Sequence, residues 1–505
     1  MVASTDIQTA DGVVRGRRGH RVLRWRSLPY AAPPVGELRF RAPQPVKPWA
    51  GVRESTEFGF AAMQHRAGAR IGPRRYQPTH EDSLTLNVTV PATPSATPRP
   101  VLVFIHGGGY LTGTSALGLY SGGRLAVRGD AVLVSMNYRL GAFGYVDFGE
   151  FSTPAHSFES NLGLRDQVAA LEWVRTNIAA FGGDPGNVTI FGESAGAHAV
   201  LSLLATPASK GMFHQAISQS PPADWAMTAD DARQFARRCV DALGVPPDQA
   251  AEALLTASAN DIRRAVDRTS NRVLRERRGL FPVAPMVDGD FLPQAPIDAI
   301  TEGNAHRVPL IIGTNRDEGT LFAKFADSLP TTPERLRAAL PDDDAEARIA
   351  AVYPGYPAPR AAVRAGGDFV FWRPSVTAMA GHSRYAPTYA YRYDFAPRAL
   401  HLAGLGATHA ADLIPVFGVG ETPFGRAITA AGGRRGLRAV THQFQDNWLA
   451  FARTGAPLPS WPAYTESRRT TLIIDAPTRL EHDPDKAKRF AWQGIRVPTL
   501  AGPII

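Results

Sequence analysis

Residues 188–201 read VTIFGESAGAHAVL. Four residues of strand type, Val188 to Phe191, run into Gly-Glu-Ser-Ala-Gly, and small apolar residues suited to a helix follow. A serine between two glycines at such a junction fits a sharp strand-to-helix turn, with the hydroxyl exposed at the end of a sheet. The pentapeptide alone decides little, because G-x-S-x-G arises by chance roughly 0.2 times in a chain this long at ordinary Gly and Ser usage. If Ser194 is a nucleophile, the chain must also supply an imidazole base, a carboxylate to orient it, and N–H donors for an oxyanion.

The donors come from residues 101–110, VLVFIHGGGY, an apolar run that ends in three glycines. His-Gly-Gly-Gly after a strand lets backbone amides approach a substrate oxygen, which makes Gly108 and Gly109, together with Ala195, the oxyanion-hole candidates. Further apolar runs of strand length lie at 131–135, 216–218, 310–313 and 388–393. Their lack of clean alternation predicts strands covered on both faces. Leu164, Val168, Leu171, Val174 and Ile178 recur at helical spacing until Gly182-Gly183-Asp184-Pro185 stops the pattern. Strand, helix, strand in that order predicts an α/β protein with a large, mostly parallel central sheet flanked by helices. The 505 residues read as one enlarged domain, with a two-lobed body as the alternative. Helix-like segments at about 228–265 and 332–353 read as insertions over the carboxyl edge of the sheet, where such folds place their ligands.

Apolar residues at 44% and charged residues at 20% exclude a disordered chain or a fibre. The formal charge of +9 comes almost wholly from arginine, yet the arginines are spread from end to end and form no nucleic-acid motif, so no nucleic-acid partner is expected. The densest runs, 15–26 and 263–278, are expected to be exposed faces. Cys239 is the only cysteine and falls in the amphipathic stretch 232–240, which predicts a small buried hydrophobe and excludes an intrachain disulfide. The N-terminal MVASTDIQTADG lacks a basic start and an apolar stretch, and no run of some eighteen apolar residues occurs anywhere, so a cytoplasmic protein without a membrane segment is expected. There is no zinc-type spacing and no phosphate-binding loop; cofactor-free, metal-free chemistry and a monomer are expected.

The motifs together resemble the type-B carboxylesterases of the α/β-hydrolase fold, a family that includes bacterial para-nitrobenzyl-type esterases, animal carboxylesterases and cholinesterases. The resemblance is carried by residues 181–197 around Ser194, by NYRLGAFG at 137–144, NLGLRDQ at 161–167 and PYAAPPVGELRF at 29–40, and it continues through WLAFARTG at 448–455 and WPAY at 461–464. Residues 313–322, GTNRDEGTLF, offer two adjacent carboxylates on a segment expected to be extended, where only one can point at a histidine. The resemblance selects Glu318 and leaves Asp317 a structural role. Of the thirteen histidines, it selects His409 in GATHAADLIPVFG, 406–418, whereas the helix after the elbow should carry His198 away. Ser194, Glu318, His409 is the chain order of α/β-hydrolases.

The resemblance implies a serine hydrolase that cleaves small-molecule carboxylic esters through an acyl-enzyme, with broad specificity for short to medium acyl chains. A lipase or a dedicated ester or carbamate hydrolase is the alternative, and a non-catalytic binding module of the same fold is a remote one. It further implies that Glu193 is a buried carboxylate near the nucleophile, tied to Ser220. Three departures stand out: Ser83 replaces the usual cysteine of a disulfide loop, residues 61–80 lack the tryptophan of a choline subsite, and Pro221-Pro222 follow Ser220 where glycine is usual.

Overall fold

A computed structural model describes residues 5–72, 74–276 and 281–495. The first four residues of the N-terminal reading, position 73, and Arg277 and Arg278 of the second basic run lie outside the described residues.

The apolar runs become strands of one sheet, which has eleven strands among the described residues. In chain order these are β1 (Arg17–Arg18), β2 (Val22–Pro29), β3 (Thr85–Pro91), β4 (Arg99–Ile105), β5 (Val132–Met136), β6 (Gly183–Glu193), β7 (Gln215–Gln219), β8 (Leu310–Asn315), β9 (Thr388–Tyr393), β10 (Thr470–Ile474) and β11 (Arg479–His482). Their spatial order is β11-β10-β9-β8-β7-β6-β4-β5-β3-β2-β1. From β10 to β5 all neighbours are parallel, and β11, β3, β2 and β1 add antiparallel margins.

The absence of alternation in the central strands has a direct cause: successive side chains enter different cores. Val101, Val103 and Ile105 pack in one core with Leu164, Leu171, Val174 and Val200. Leu102 and Phe104 pack in the other with Phe444, Trp448 and Phe451. Helices cover both faces, so every side chain of these strands finds apolar cover. The first core is capped by α1 (Leu162–Asn177) and α2 (Ala195–Ala205), the second by α3 (Arg434–Thr454). Cys239 is buried on the helix Ala229–Leu243.

The segment expected at 228–265 consists of Ala229–Leu243, Ala250–Thr256 and Ala259–Glu276, longer helices than the sequence suggested and continuing to Glu276. The reason is an apolar stripe, Ile262, Val266 and Val273, that packs the last helix against the first. At 332–353 lie Pro333–Ala339 and Asp343–Val352, and an unanticipated run follows: Pro359–Gly367, a π-helical turn Asp368–Trp372 and Arg373–His382. The first basic run is not wholly an exposed face. Arg15 and Arg17 are exposed, but Arg24 and Arg26 are half-buried, because Arg24 lies against Gly123 and Arg26 lies over the Phe58 ring at 4.2 Å.

Candidate active site

The carboxyl ends of β4, β6, β7 and β8 lie side by side, and the loop at each end contributes to one site. At the end of β6 the chain reverses at Ser194, with φ 59° and ψ −125°, a conformation that a non-glycine residue holds only under constraint. The constraint is visible on both sides. Ser194 N–H donates to Gln219 O at 2.9 Å, and Ser194 O accepts from His198 N at 2.9 Å to start α2. The flanking glycines are required by contact: a Cβ on Gly192 would lie 2.4 Å from Gly196 O, and one on Gly196 would lie 2.1 Å from Ile105 O.

The glycine loop after β4 stands beside the serine, since a Cβ on Gly107 would lie 3.0 Å from Ser194 Cβ. Gly108, at φ 118°, leaves no room for a side chain, because a Cβ would lie 2.1 Å from Thr112 O. Its carbonyl accepts from Leu111 N at 3.2 Å and Thr112 N at 3.0 Å, which folds the loop back. The amides of Gly108, Gly109 and Ala195 donate no hydrogen bond among the described residues. Unpaired N–H groups grouped next to a serine form a ready set of donors for a developing oxyanion.

His409 Nδ1 and Glu318 Oε2 are 2.6 Å apart. The other oxygen of Glu318 accepts from Ser220 Oγ at 2.6 Å and from Asn315 N at 2.7 Å, so the carboxylate is held at both ends. The histidine loop is stitched to the loop after β8: Asp317 N donates to Ala407 O at 2.9 Å, Ala407 N to Asp317 Oδ2 at 3.0 Å, and Asn315 Nδ2 to Thr408 O at 2.8 Å. Asp317 is therefore the structural member of the acidic pair. The segment is not extended as expected: Glu318 has φ −48° and ψ −44° at the start of the helix Gly319–Phe325. On a helical turn, adjacent side chains point about 100° apart, which again separates the two carboxylates.

The outer nitrogen of His409, Nε2, faces the elbow, 3.0 Å from Oε1 of Glu193. Neither atom has a well-aligned hydrogen bond among the described residues, and none links Ser194 Oγ to His409. Catalytic hydrogen bonds are often misaligned without substrate and tighten in the reacting complex. The expected tie between Glu193 and Ser220 is absent. Glu193 pairs in register with Gln219, while Ser220, at φ 54°, leaves β7 towards β8, donates N–H to Gly313 O at 2.8 Å and gives its hydroxyl proton to Glu318 instead.

Three residues complete the surroundings and were not picked out by sequence reasoning. Asp412 is buried and accepts from Gln219 Nε2 and Tyr391 OH, each at 2.8 Å. Phe371, in the π-helical turn, lies over the imidazole at 4.3 Å between ring centres, and Phe322 lies at 5.1 Å. Asp412 had one signal, its place three residues after His409. Phe371 had none, since nothing near it in the chain mentions the site. Burial acts against the His409 cation, but the charges of Glu193, Glu318 and Asp412 outweigh it and hold the imidazole pKa above its usual 6.5. Burial, opposed by His409, raises the Glu193 carboxyl above the carboxylate range. His198 is turned into the core, where Nδ1 meets Tyr110 OH at 2.8 Å and burial pushes its pKa down to about 3.

Among the described residues no cluster of His, Cys, Asp and Glu is arranged to hold a metal ion, and no helix is long and apolar enough to cross a membrane. A strained serine between strand and helix, beside free amides, with a carboxylate-held imidazole facing it, defines a serine hydrolase of the α/β-hydrolase fold. The chain belongs to the carboxylesterase family, whose model matches residues 3–352 and 356–492, and it is a carboxylic ester hydrolase. It is 38% identical to the para-nitrobenzyl esterase of Bacillus subtilis (strain 168), over 96% of this chain and 97% of that one. It is 32% identical to phenmedipham hydrolase of Pseudarthrobacter oxydans, over 89% of this chain and 91% of the other. A solved PNB esterase superposes with a TM-score of 0.86 at 36% identity, covering 97% of this chain and 99% of that one. A carboxylesterase of Geobacillus stearothermophilus does so at 0.84 and 35% identity, covering 97% and 100%.

Proposed function

We propose that Ser194, Glu318 and His409 form the catalytic triad, that the amides of Gly108, Gly109 and Ala195 hold the oxyanion, and that the substrates are carboxylic esters of broad structure with short to medium acyl chains. The observation that carries this reading is the 2.6 Å contact of His409 Nδ1 with Glu318 Oε2, with Nε2 turned to the elbow. His409 Nε2 takes the Ser194 hydroxyl proton as Oγ attacks the ester carbonyl. The carbonyl oxygen becomes an oxyanion among the three amides, and Glu318 stabilises the imidazolium. His409 then returns the proton to the leaving alkoxide. Water, deprotonated by the same imidazole, attacks the acyl-enzyme and releases the acid. The rings of Phe322 and Phe371 pack on His409 at 5.1 and 4.3 Å and give the site an apolar wall, which supports an apolar acyl group.

We read the chain as a single enlarged hydrolase domain that works as a monomer in the cytoplasm. The lone cysteine, buried and unpaired, supports a reducing compartment. Light scattering and cell fractionation test these points.

The decisive experiment is hydrolysis of p-nitrophenyl esters from acetate to palmitate, with Ser194→Ala as control. Short-chain turnover that falls by at least about 10⁴-fold in the variant is the expected result. Substantial turnover by Ser194→Ala refutes the triad, and a preference for palmitate replaces the broad esterase with a lipase.

A further inference from the structure

Away from the elbow, six arginines meet in one cleft of about 790 Å³, a volume in the range of small-molecule sites. It opens between the hairpin that joins β1 to β2, the short helix Gly123–Gly129, the turn at 418–421 and the first turns of α3. Arg21 comes from the hairpin, Arg24 from β2, Arg124 and Arg128 from the short helix, and Arg434 and Arg438 from one face of α3.

The charges in this cleft are not balanced. Glu421, the one carboxylate in its lining, is occupied by Arg434 at 2.8 Å and Arg438 at 2.9 Å, and Arg128 is held by Asp446 at 2.6 Å. Among the described residues, Arg21, Arg24 and Arg124 have no carboxylate within ion-pair distance. Arg24 is half-buried, and burial, with Arg26 beside it, pulls its guanidinium below the usual range. A cation partly removed from water without a counter-charge, as Arg24 is, is costly, and together with the exposed Arg21 and Arg124 on the same cleft it forms a receptor for negative charge.

The cleft is walled off from the ester site. Its lining residues Ser121 and Gly418 directly follow Tyr120 and Phe417 in the chain. Phe104 packs on Tyr120 at 4.6 Å and on Phe417 at 5.0 Å, and Phe417 lies 6.0 Å from Phe191, two residues before Glu193. This aromatic layer stands between the arginines and the elbow.

We propose that the cleft binds a small anion carrying two or more phosphate groups, held by Arg21, Arg24 and Arg124 and distinct from the ester substrate. The guanidinium fork matches phosphate oxygens in pairs, and three such forks on a hairpin, a strand and a helix fit more than one phosphate. Among the described residues no Phe, Tyr or Trp lines the cleft; its rings are the imidazoles of His20 and His442, the latter tied to Arg128 Nη2 at 3.2 Å, and so small an aromatic surface favours a polyphosphate or sugar-phosphate head over a single-stranded nucleic acid.

The test is calorimetric titration of the full chain with inorganic pyrophosphate at low ionic strength. Saturable binding is expected, unchanged in Ser194→Ala and weakened at least about tenfold in Arg21→Glu/Arg124→Glu and in Arg24→Gln, with p-nitrophenyl butyrate turnover retained. The first variant changes exposed residues and reports on the site even if the second fails to fold. Absence of saturable binding, equal affinity in the charge-reversed variant, equal affinity for citrate, or binding of an oligonucleotide in place of pyrophosphate would each overturn the proposal.

Discussion

His409 Nε2 lies 3.0 Å from Oε1 of Glu193, the residue immediately before Ser194. The imidazole is therefore bracketed by two carboxylates, Glu318 on Nδ1 and Glu193 on Nε2. Both favour its protonated form, which a general base must give up in order to work. With His409 as the proposed base, Glu193 is expected to hold the acid limb of the pH profile above where burial alone would put it.

The expected consequence is a pH profile set by that bracket. His409 is active when neutral, and its pKa is raised above 6.5, so kcat/KM for a neutral ester should fall as pH drops through the raised value. Glu193, when ionised, favours the imidazolium, and the imidazolium in turn lowers the Glu193 pKa, so the two titrate as a pair; Glu193→Gln removes that coupling and leaves burial in place, so the acid limb should move to lower pH. A limb that stays put or moves up shows that Glu193 does not act on the imidazole.

The glycine loop predicts a graded response. Gly108→Ala would bring a Cβ to 2.1 Å from Thr112 O, whereas a Cβ on Gly109 meets nothing within 4 Å. With the Gly108 amide as a proposed oxyanion donor, Gly108→Ala displaces that amide and should lower kcat by about 10²- to 10³-fold, the usual effect of disabling such a donor. Gly109, at φ 64°, should cost only about 1 kcal/mol of strain on conversion to Ala. Steady-state kinetics of the two variants give the comparison, and equal losses would contradict the contact geometry.

Two motifs near the site serve the fold. Arg139 and Asp166 form a buried bidentate pair at 2.8 and 2.7 Å, which joins the loop after β5 to α1. Asp166→Asn leaves a guanidinium buried without its counter-charge and should destabilise the protein by about 3–5 kcal/mol. KM of the molecules that remain folded should not change. Denaturation and kinetics on one preparation test both halves, and a stability loss under about 1 kcal/mol rejects the assignment.

Acid should weaken the fold through histidines buried neutral. Burial lowers the pKa of His106 and His382 to about 4 and that of His198 to about 3. The folded pKa lies below the unfolded 6.5, so the unfolded chain binds the extra protons, and stability falls as pH drops from 6.5 towards the folded values. At pH 5 each such histidine costs about 2 kcal/mol. Tm should decline steadily from pH 7 to pH 5 with proton uptake on unfolding, and a flat Tm across that range would contradict the burial.

Legibility in the sequence tracked how local the information is. Ser194, the glycines at 108 and 109, and the strands that lead to them lie in contiguous stretches whose backbone demands appear in the residue types. The chain order of serine, acid and histidine was equally readable, although choosing Glu318 over Asp317 and His409 over twelve other histidines rested on family resemblance. The anticipated tie between Glu193 and Ser220 failed because it depends on which neighbouring strand Ser220 turns towards. The helices beyond 353 went unseen because their amphipathic stripes are short and the first of them ends in Gly366-Gly367, residues that weaken a helical reading.

The class of chain, the elbow and the order of its chemistry are written in the residues themselves, because a strained turn and a close glycine approach leave their requirements on adjacent residues. What surrounds the imidazole and what lies behind it come from long-range packing. Glu318 meets His409 across 91 positions and Ser220 meets Glu318 across 98, and both meetings depend on the parallel order of β7, β8 and β9. Asp412 under the histidine, Phe371 over it and the arginines beyond the aromatic layer follow from the same packing, since which distant residues share a surface is set by strand order and helix docking.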